Sequence, residues 1–172
     1  VSNSSTRLSY FFSNSTFSTL PPQERAILVA VDSPRSRQGW QTTDSVAELV
    51  QLARAAGAEV VGSHIQRLSQ PHPRSYLGSG KLNELLSLKT ELSFTVAIFD
   101  DELTPQQQIH LEETLQTKVI DRTALILDIF SQRAQSREGQ LQVELAQHRY
   151  LLPRLIGQWS HLERLGGGIG TR

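Results

Sequence analysis

Cysteine is absent from all 172 residues of the chain. This absence excludes a disulfide framework and a thiolate metal site, and it fits a reducing compartment such as the cytoplasm. Long apolar runs are missing as well, because none approaches the roughly 20 residues that cross a bilayer. We therefore expect a soluble, cytoplasmic protein with no membrane partner. The 17 Lys and Arg balance the 17 Asp and Glu, so the overall charge indicates no particular partner.

Residue groups typical of an active site or a metal site are also missing. No Ser/His/Asp order and no carboxylate pair stands out, so we predict no catalytic residue in this chain. The histidines are scattered, and none pairs with another at ligand spacing on one helical face, so we predict no metal site. They are His64, His72, His110, His148 and His161.

The beginning of the chain differs in composition from the rest. Residues 1–22 are rich in Ser, Thr and Asn, contain no acidic residue and end at Pro21-Pro22. We predict a disordered tail or linker over residues 1–24. A transit-type targeting peptide is the alternative interpretation of a Ser-rich stretch without acids.

Short apolar runs alternate with amphipathic stretches through the next hundred residues. This alternation predicts an α/β fold with an open, four-stranded parallel sheet over residues 25–121 and flanking helices on both faces. Gly57 has the residue type that ends a helix, while Thr104, followed by Pro105 and Gln107, has the pattern of a capping box. The predicted strands cover 26–32, 58–65, 95–100 and 117–121, and the predicted helices cover about 43–56, 80–91, 104–116 and 122–135.

A helical extension is predicted over residues 122–165. Its later part carries residues at alternating spacings of four and three that are apolar except for His148, a pattern typical of a helix that supercoils against another helix. Pro153 should bend this helix, but the spacing stays in phase across it and favours one kinked helix over two. The apolar set is termed the leucine ladder and comprises Leu141, Leu145, Leu152, Leu155, Trp159 and Leu162.

The leucine ladder needs a partner, and no earlier segment offers a helix of matching length and pattern. We therefore expect residues 122–165 to form the first arm of a helical hairpin, residues 166–172 to form part of its glycine-rich tip, and the return arm to lie outside this chain.

Residues 76–82, with the sequence YLGSGKL, invite comparison with a phosphate-binding loop. A Walker-type loop requires a glycine where Ser75 stands and a hydroxyl side chain where Leu82 stands, so the motif is incomplete. Gly78, Gly80 and Lys81 remain candidates for weak phosphate or nucleotide contact. The alternative is a structural turn that leads into a helix.

Three acidic residues end two of the predicted strands. Asp32, Asp100 and Asp101 should lie at the carboxyl edge of the sheet, where open parallel sheets usually bind ligands. They also suit an ordinary role as loop and capping residues, and the sequence leaves both interpretations open.

Basic residues concentrate at the C-terminal end, where six arginines stand against three glutamates from Ile129 onward. Cations and an aromatic ring beside a glycine-rich loop suit contact with structured RNA, and they equally suit a solvated helix end. The candidates for RNA contact are Arg154, Trp159, His161, Arg164 and Arg172.

Several longer segments are more particular than these general patterns. They read DRTALILDIF at 121–130, LQVELAQ at 141–147, LPRL at 152–155 and GGGIGTR at 166–172. Together with YLGSGK, they strongly resemble the HflX family of ribosome-associated GTPases over roughly residues 24–172.

The resemblance implies the N-terminal, ribosome-binding portion of a GTPase that associates with the large (50S) ribosomal subunit and helps to split or rescue ribosomes. It implies a helical hairpin whose tip contacts ribosomal RNA, which adds Gly166, Gly167, Gly168, Gly170 and Thr171 to the candidates above. It further implies that GTP and Mg²⁺ bind a downstream GTPase domain of the parent protein, so that this chain needs no cofactor. Two alternatives stay open, namely a free-standing nucleotide-binding α/β protein and a module that forms a homodimer through its leucine ladder.

Overall fold

A computed structural model describes residues 23–34 and 41–164 of the chain, with side chains to Leu155. The described part contains four strands and five helices, and the predicted elements are confirmed within a few residues. The strands are β1 (Arg25–Asp32), β2 (Glu59–Arg67), β3 (Val96–Phe99) and β4 (Lys118–Asp121). The helices are α1 (Thr42–Ala55), α2 (Ser79–Leu92), α3 (Pro105–Leu115), α4 (Arg122–Arg133) and α5 (Arg137–Arg164).

The four strands form one sheet in the order β2-β1-β3-β4, and every pairing is parallel. The predicted α/β class and open parallel sheet are therefore confirmed. The chain adds β2 on one side of β1 and then β3 on the other, so the strand order reverses between β1 and β3. The carboxyl ends of those two strands border the crevice that such sheets use for ligands.

Two hydrophobic layers cover the two faces of the sheet. Alternate residues of β1 point into opposite layers, with Leu28 packed on one side and Val29 on the other. The first layer includes Leu49 of α1 and Leu125 of α4, and the second layer includes Leu85 of α2 and Leu111 of α3. Helices on both faces are what an all-parallel sheet requires.

Two helix-end signals in the sequence have the expected geometry. Gly57 follows α1 with a φ of +93°, the left-handed region in which a side chain is strained. Thr104 caps α3, because its hydroxyl accepts a bond from the Gln107 backbone while the Gln107 side chain accepts one from the Thr104 backbone. These local signals fix where the helices begin and end.

The predicted boundary at residue 121 is not a break in packing. Ala124, Leu125 and Ile129 of α4 belong to the same hydrophobic layer as α1, so α4 is part of the α/β domain. Of the described helices, α5 alone extends from that domain, and we refer to α5 as the arm. It is one continuous helix with Pro153 inside it, as the phase of the leucine ladder predicts.

Candidate functional site

The leucine ladder lies on the outer face of the arm. Four of its leucines are about half exposed, with exposed fractions of 56% at Leu141, 52% at Leu145, 59% at Leu152 and 50% at Leu155. Isolated exposed leucines are common on protein surfaces, but a regular row along one helix indicates a surface that a partner covers. The side chains of Trp159 and Leu162 lie outside the described residues.

The opposite face of the arm is anchored to the domain. Tyr150 and Arg154 are buried there, each with less than a tenth of its surface exposed. The Arg154 guanidinium donates bonds to Asp121 Oδ2 at 3.1 Å, to the Leu103 carbonyl at 2.8 Å and to Gln108 Oε1 at 3.0 Å. It also lies over the Tyr150 ring, 3.5 Å from the centroid.

This placement changes the interpretation of Arg154. The sequence offered it as a cation for RNA, but in the folded domain its donors bond to Asp121, Leu103, Gln108 and Tyr150. Exposed cations on the described part of the arm are instead Arg137 and Arg149. The remaining candidates have no described side chains: Trp159, His161, Arg164, Gly166, Gly167, Gly168, Gly170, Thr171 and Arg172.

The turn before α2 is built from internal contacts. The Gly78 backbone N–H donates to Gln66 Oε1 at 2.8 Å, and Lys81 forms an ion pair with Glu84 one turn later. Leu82, which occupies the position of the Mg²⁺-binding hydroxyl in a Walker loop, is buried in the second hydrophobic layer. A phosphate at this turn would compete with Glu84 for Lys81, so the residues present do not fit a Walker-type nucleotide site.

Tyr76 and Leu77, just before that turn, are almost fully buried. The Tyr76 hydroxyl donates to Asp101 Oδ2 at 2.6 Å and accepts from the Val31 backbone at 3.2 Å. Burial, and then the Asp101 charge, raise the pKa of the Tyr76 phenol above its usual range, so it stays a neutral donor. The YLGSGK segment thus packs the N-terminal end of α2 against the carboxyl ends of β1 and β3.

The predicted acidic edge exists, but its carboxylates are paired within the chain. Asp100 accepts bonds from the Ser45 hydroxyl at 2.7 Å and from Arg122 Nη2 at 3.0 Å. Asp32 accepts from the Thr42 hydroxyl at 2.7 Å and from Arg67 Nε at 3.1 Å, and these two bonds lower the pKa of its carboxyl. Both carboxylates are therefore occupied by hydrogen bonds within the chain.

Two structural contributors had no place in the sequence prediction. Arg122 ties β3 to α1 through Asp100 and Glu48, and Tyr150 supplies the ring beneath Arg154. A helical projection could have found the second, because Tyr150 and Arg154 are one turn apart and off the leucine ladder. Arg122 gave no signal, since its partners are 22 and 74 residues away in sequence.

Among the side chains of residues 23–34 and 41–155, no group of three His, Asp or Glu could hold a metal ion. Over the same residues, no helix is long and apolar enough to span a membrane.

Comparison with known proteins identifies two regions. A family model described as GTP-binding GTPase N-terminal matches residues 43–131, and one described as GTP-binding GTPase Middle Region matches residues 133–172. The GTPase HflX of Lacrimispora saccharolytica is 50% identical over 150 residues, which cover 87% of this chain and 35% of that protein. The GTPase HflX of Escherichia coli K12 is 41% identical over 149 residues, which cover 87% of this chain and 34% of that protein.

Solved structures share the fold. A GTP-binding protein from the archaeon Sulfolobus solfataricus, in complex with GDP, superposes with a TM-score of 0.59 at 24% identity, covering 80% of this chain and 40% of that one. The chain spans roughly a third of the length of the HflX relatives that it matches. On the two family models and these relatives, the chain belongs to the HflX family of GTPases, of which it carries the N-terminal and middle regions.

Proposed function

We propose that this chain is the ribosome-binding, N-terminal portion of an HflX-like GTPase that associates with the large (50S) ribosomal subunit in the cytoplasm. In this proposal it helps to split or rescue ribosomes, and ribosomal RNA is its main partner. GTP and Mg²⁺ are bound by a GTPase domain whose motifs this chain does not contain.

The observation that supports the proposal best is the row of half-exposed leucines on an arm that is anchored by its other face. Such a row costs solvation free energy until something covers it, because burying one leucine is worth about 1.5–3 kcal/mol. The α/β domain does not cover it, since Leu141, Leu145, Leu152 and Leu155 all remain about half exposed. A return helix of the same parent protein would cover the ladder and leave the glycine-rich end of the arm as a tip.

The charge distribution also supports contact with RNA. Six arginines stand against three glutamates from Ile129 onward, and Arg137 and Arg149 are exposed on the arm itself. Arginine guanidinium groups bind phosphates through paired hydrogen bonds, and glycine allows a backbone to follow an irregular surface.

Co-sedimentation of the chain with purified large subunits tests the proposal. Reversing the charges of the end of the arm, with Arg164→Glu and Arg172→Glu together, should weaken binding about tenfold at physiological salt and reduce the salt slope by about two. The matched control is Arg54→Glu with Arg74→Glu, two exposed arginines of the α/β domain whose reversal should leave binding close to that of the wild type.

Equal binding by the wild type and the Arg164/Arg172 variant would contradict the assignment of the tip. Equal losses in both double variants would show that binding follows net charge alone and not the arm.

A homodimer through the leucine ladder is the second candidate, because the same exposed row could pair with its counterpart in another copy. Sedimentation equilibrium of the wild type and of a Leu145→Gln, Leu152→Gln variant distinguishes the two. A dimeric wild type with a monomeric double variant would favour the second candidate. A wild type and a double variant that are both monomeric would exclude it.

The free-standing nucleotide-binding alternative has less support, because Lys81 is paired with Glu84 and Asp100 is paired with Arg122. Titration with ATP while amide shifts are recorded around Gly80 tests it. Saturation at micromolar ATP would restore that alternative.

A further inference from the structure

We infer that Arg154 is a positioning residue that fixes the direction of the arm relative to the α/β domain. The use of that direction on the ribosome rests on the proposed function, but the inference itself concerns only the chain and can be tested without a ribosome. It assigns Arg154 to orienting the arm and not to RNA contact.

The first argument is the number and origin of its contacts. Arg154 bonds to the loop before α3 through the Leu103 carbonyl, to α3 through Gln108, and to the end of β4 through Asp121. Its remaining terminal nitrogen donates to the Tyr150 carbonyl in its own helix at 2.9 Å. One side chain therefore joins the arm to three separate parts of the domain.

The second argument is that Asp121, the charged partner of Arg154, is itself fixed. Asp121 has 1% of its surface exposed, its Oδ1 accepts from the Ala124 backbone at 2.8 Å, and its Oδ2 accepts from the Leu103 backbone at 3.0 Å. The first of these bonds caps α4. A planar guanidinium held by a fixed carboxylate and stacked on the Tyr150 ring has little freedom to rotate.

The third argument is the location of these contacts along the helix. Pro153 has no backbone N–H and cannot donate to the carbonyl of Arg149, so the helix loses a hydrogen bond one residue before Arg154. Helices bend at proline, so the first half of the arm sets the direction of the second half less firmly than it would in an unbroken ladder of hydrogen bonds. The Arg154 contacts occur where that support is needed.

Distance measurements between spin labels test the inference. Because the chain has no cysteine, introduced cysteines are the only labelling sites. Gln51→Cys on α1 with Gln158→Cys beyond Pro153 reports the direction of the outer arm. Gln51→Cys with Gln142→Cys reports the half of the arm before Pro153.

The test compares Arg154→Met with Arg149→Met, a matched control five residues earlier whose side chain is exposed. In Arg154→Met we expect the Gln51–Gln158 distribution to lose its single narrow peak while the Gln51–Gln142 distribution stays as in the wild type. In Arg149→Met both distributions should keep the wild-type shape.

Arg154→Lys keeps the charge but not the planar fork, and it should broaden the outer distance to an intermediate extent. Arg154→Met leaves Asp121 buried without its cation and can fail to fold for that reason. In that case Arg154→Lys, which keeps a cation beside Asp121, provides the test. An unchanged Gln51–Gln158 distribution in a folded Arg154→Met or Arg154→Lys would overturn the inference. Loss of the wild-type circular dichroism in both variants would also overturn it, because Arg154 would then be a general folding residue.

Ribosome co-sedimentation of the same proteins separates this inference from the proposed function. A wild-type chain that does not bind large subunits would refute the proposed function and leave the distance result as it stands. A wild-type chain that binds, with an arm whose direction does not depend on Arg154, would refute only the positioning role.

Discussion

Single side-chain contacts decide how the carboxylates between β1 and β3 are used. Asp100 is buried and binds Ser45 and Arg122, so the position that holds ligands in many parallel sheets is used here to join α1, β3 and α4. Arg122 also reaches Glu48, which lies on the surface of α1. These carboxylates hold the elements of the domain together. Asp32 and Asp100, which the nucleotide-binding interpretation needs, are both bonded within the chain.

Two glycines should respond oppositely to the same substitution. Gly57→Ala should cost about 1 kcal/mol of unfolding free energy, because alanine is strained at the φ of +93° although the surrounding space is open. Gly80→Ala should stabilise by about 0.5–1 kcal/mol, because Gly80 lies in α2 and a Cβ there would meet nothing within 4 Å. Urea unfolding of the two variants checks both signs. A lower unfolding free energy in Gly80→Ala would contradict this prediction and indicate that α2 does not tolerate a side chain at residue 80.

Asp128 should destabilise the fold at neutral pH. Burial raises the pKa of its carboxyl above 3.8, so the folded chain holds the proton more tightly than the unfolded chain does, and the resulting stability is lost as the pH rises through the folded-state pKa. Asp128→Asn should therefore be more stable than the wild type at pH 7, and this advantage should shrink as the pH falls toward 3.8. The amide oxygen can still accept the bond from Gln132.

Urea unfolding at pH 7 and pH 4 measures the pH dependence of Asp128→Asn. Glu91→Gln, at an exposed position on α2, is the matched control and should show no comparable dependence. An Asp128→Asn variant that is less stable than the wild type at pH 7 would mean that its attraction to Lys118 outweighs burial.

At the scale of the element, the arm presents two different faces. Leu152 faces outward, while Arg154, two residues and about 200° further round the helix, faces the domain. The sequence predicted the outer face well, because the leucine ladder is a regular pattern of one residue type. It missed the inner face, because arginines near a glycine-rich end were counted as cations without regard to the direction in which each side chain points.

One substitution made on two helices tests this description of the arm. Leu152→Ala should change the unfolding free energy by no more than about 0.5 kcal/mol, because the side chain is 59% exposed. Leu125→Ala on α4 should cost about 2–5 kcal/mol, because that side chain is fully buried. Urea unfolding at low micromolar protein, where association is weak, gives both values. Equal losses would show that the leucine ladder is packed.

At the scale of the whole molecule, the fold class and almost every element were predictable from the sequence. Alternating apolar and amphipathic stretches predict the strands and helices directly, and Gly57 and Thr104 predict helix ends. The order β2-β1-β3-β4 was predictable only in part. The polar residues Ser63, His64 and Gln66 make β2 suit an edge, while β1 and β3 are apolar throughout their interior as central strands are, but no local pattern says which strand pairs with which. The contacts of Arg122 and Arg154 could not be predicted from the sequence either, because their partners are distant along the chain and come near only in the folded domain.

The position of β1 has a consequence for how the chain loses its structure. Its odd and even residues belong to opposite hydrophobic layers, so one strand is shared by both halves of the sandwich. Neither hydrophobic layer can unfold while the other stays intact. Unfolding of the α/β domain should therefore be a single cooperative transition without a stable intermediate. Coincident transitions in circular dichroism and in amide exchange across α1 and α3 are the expected signature.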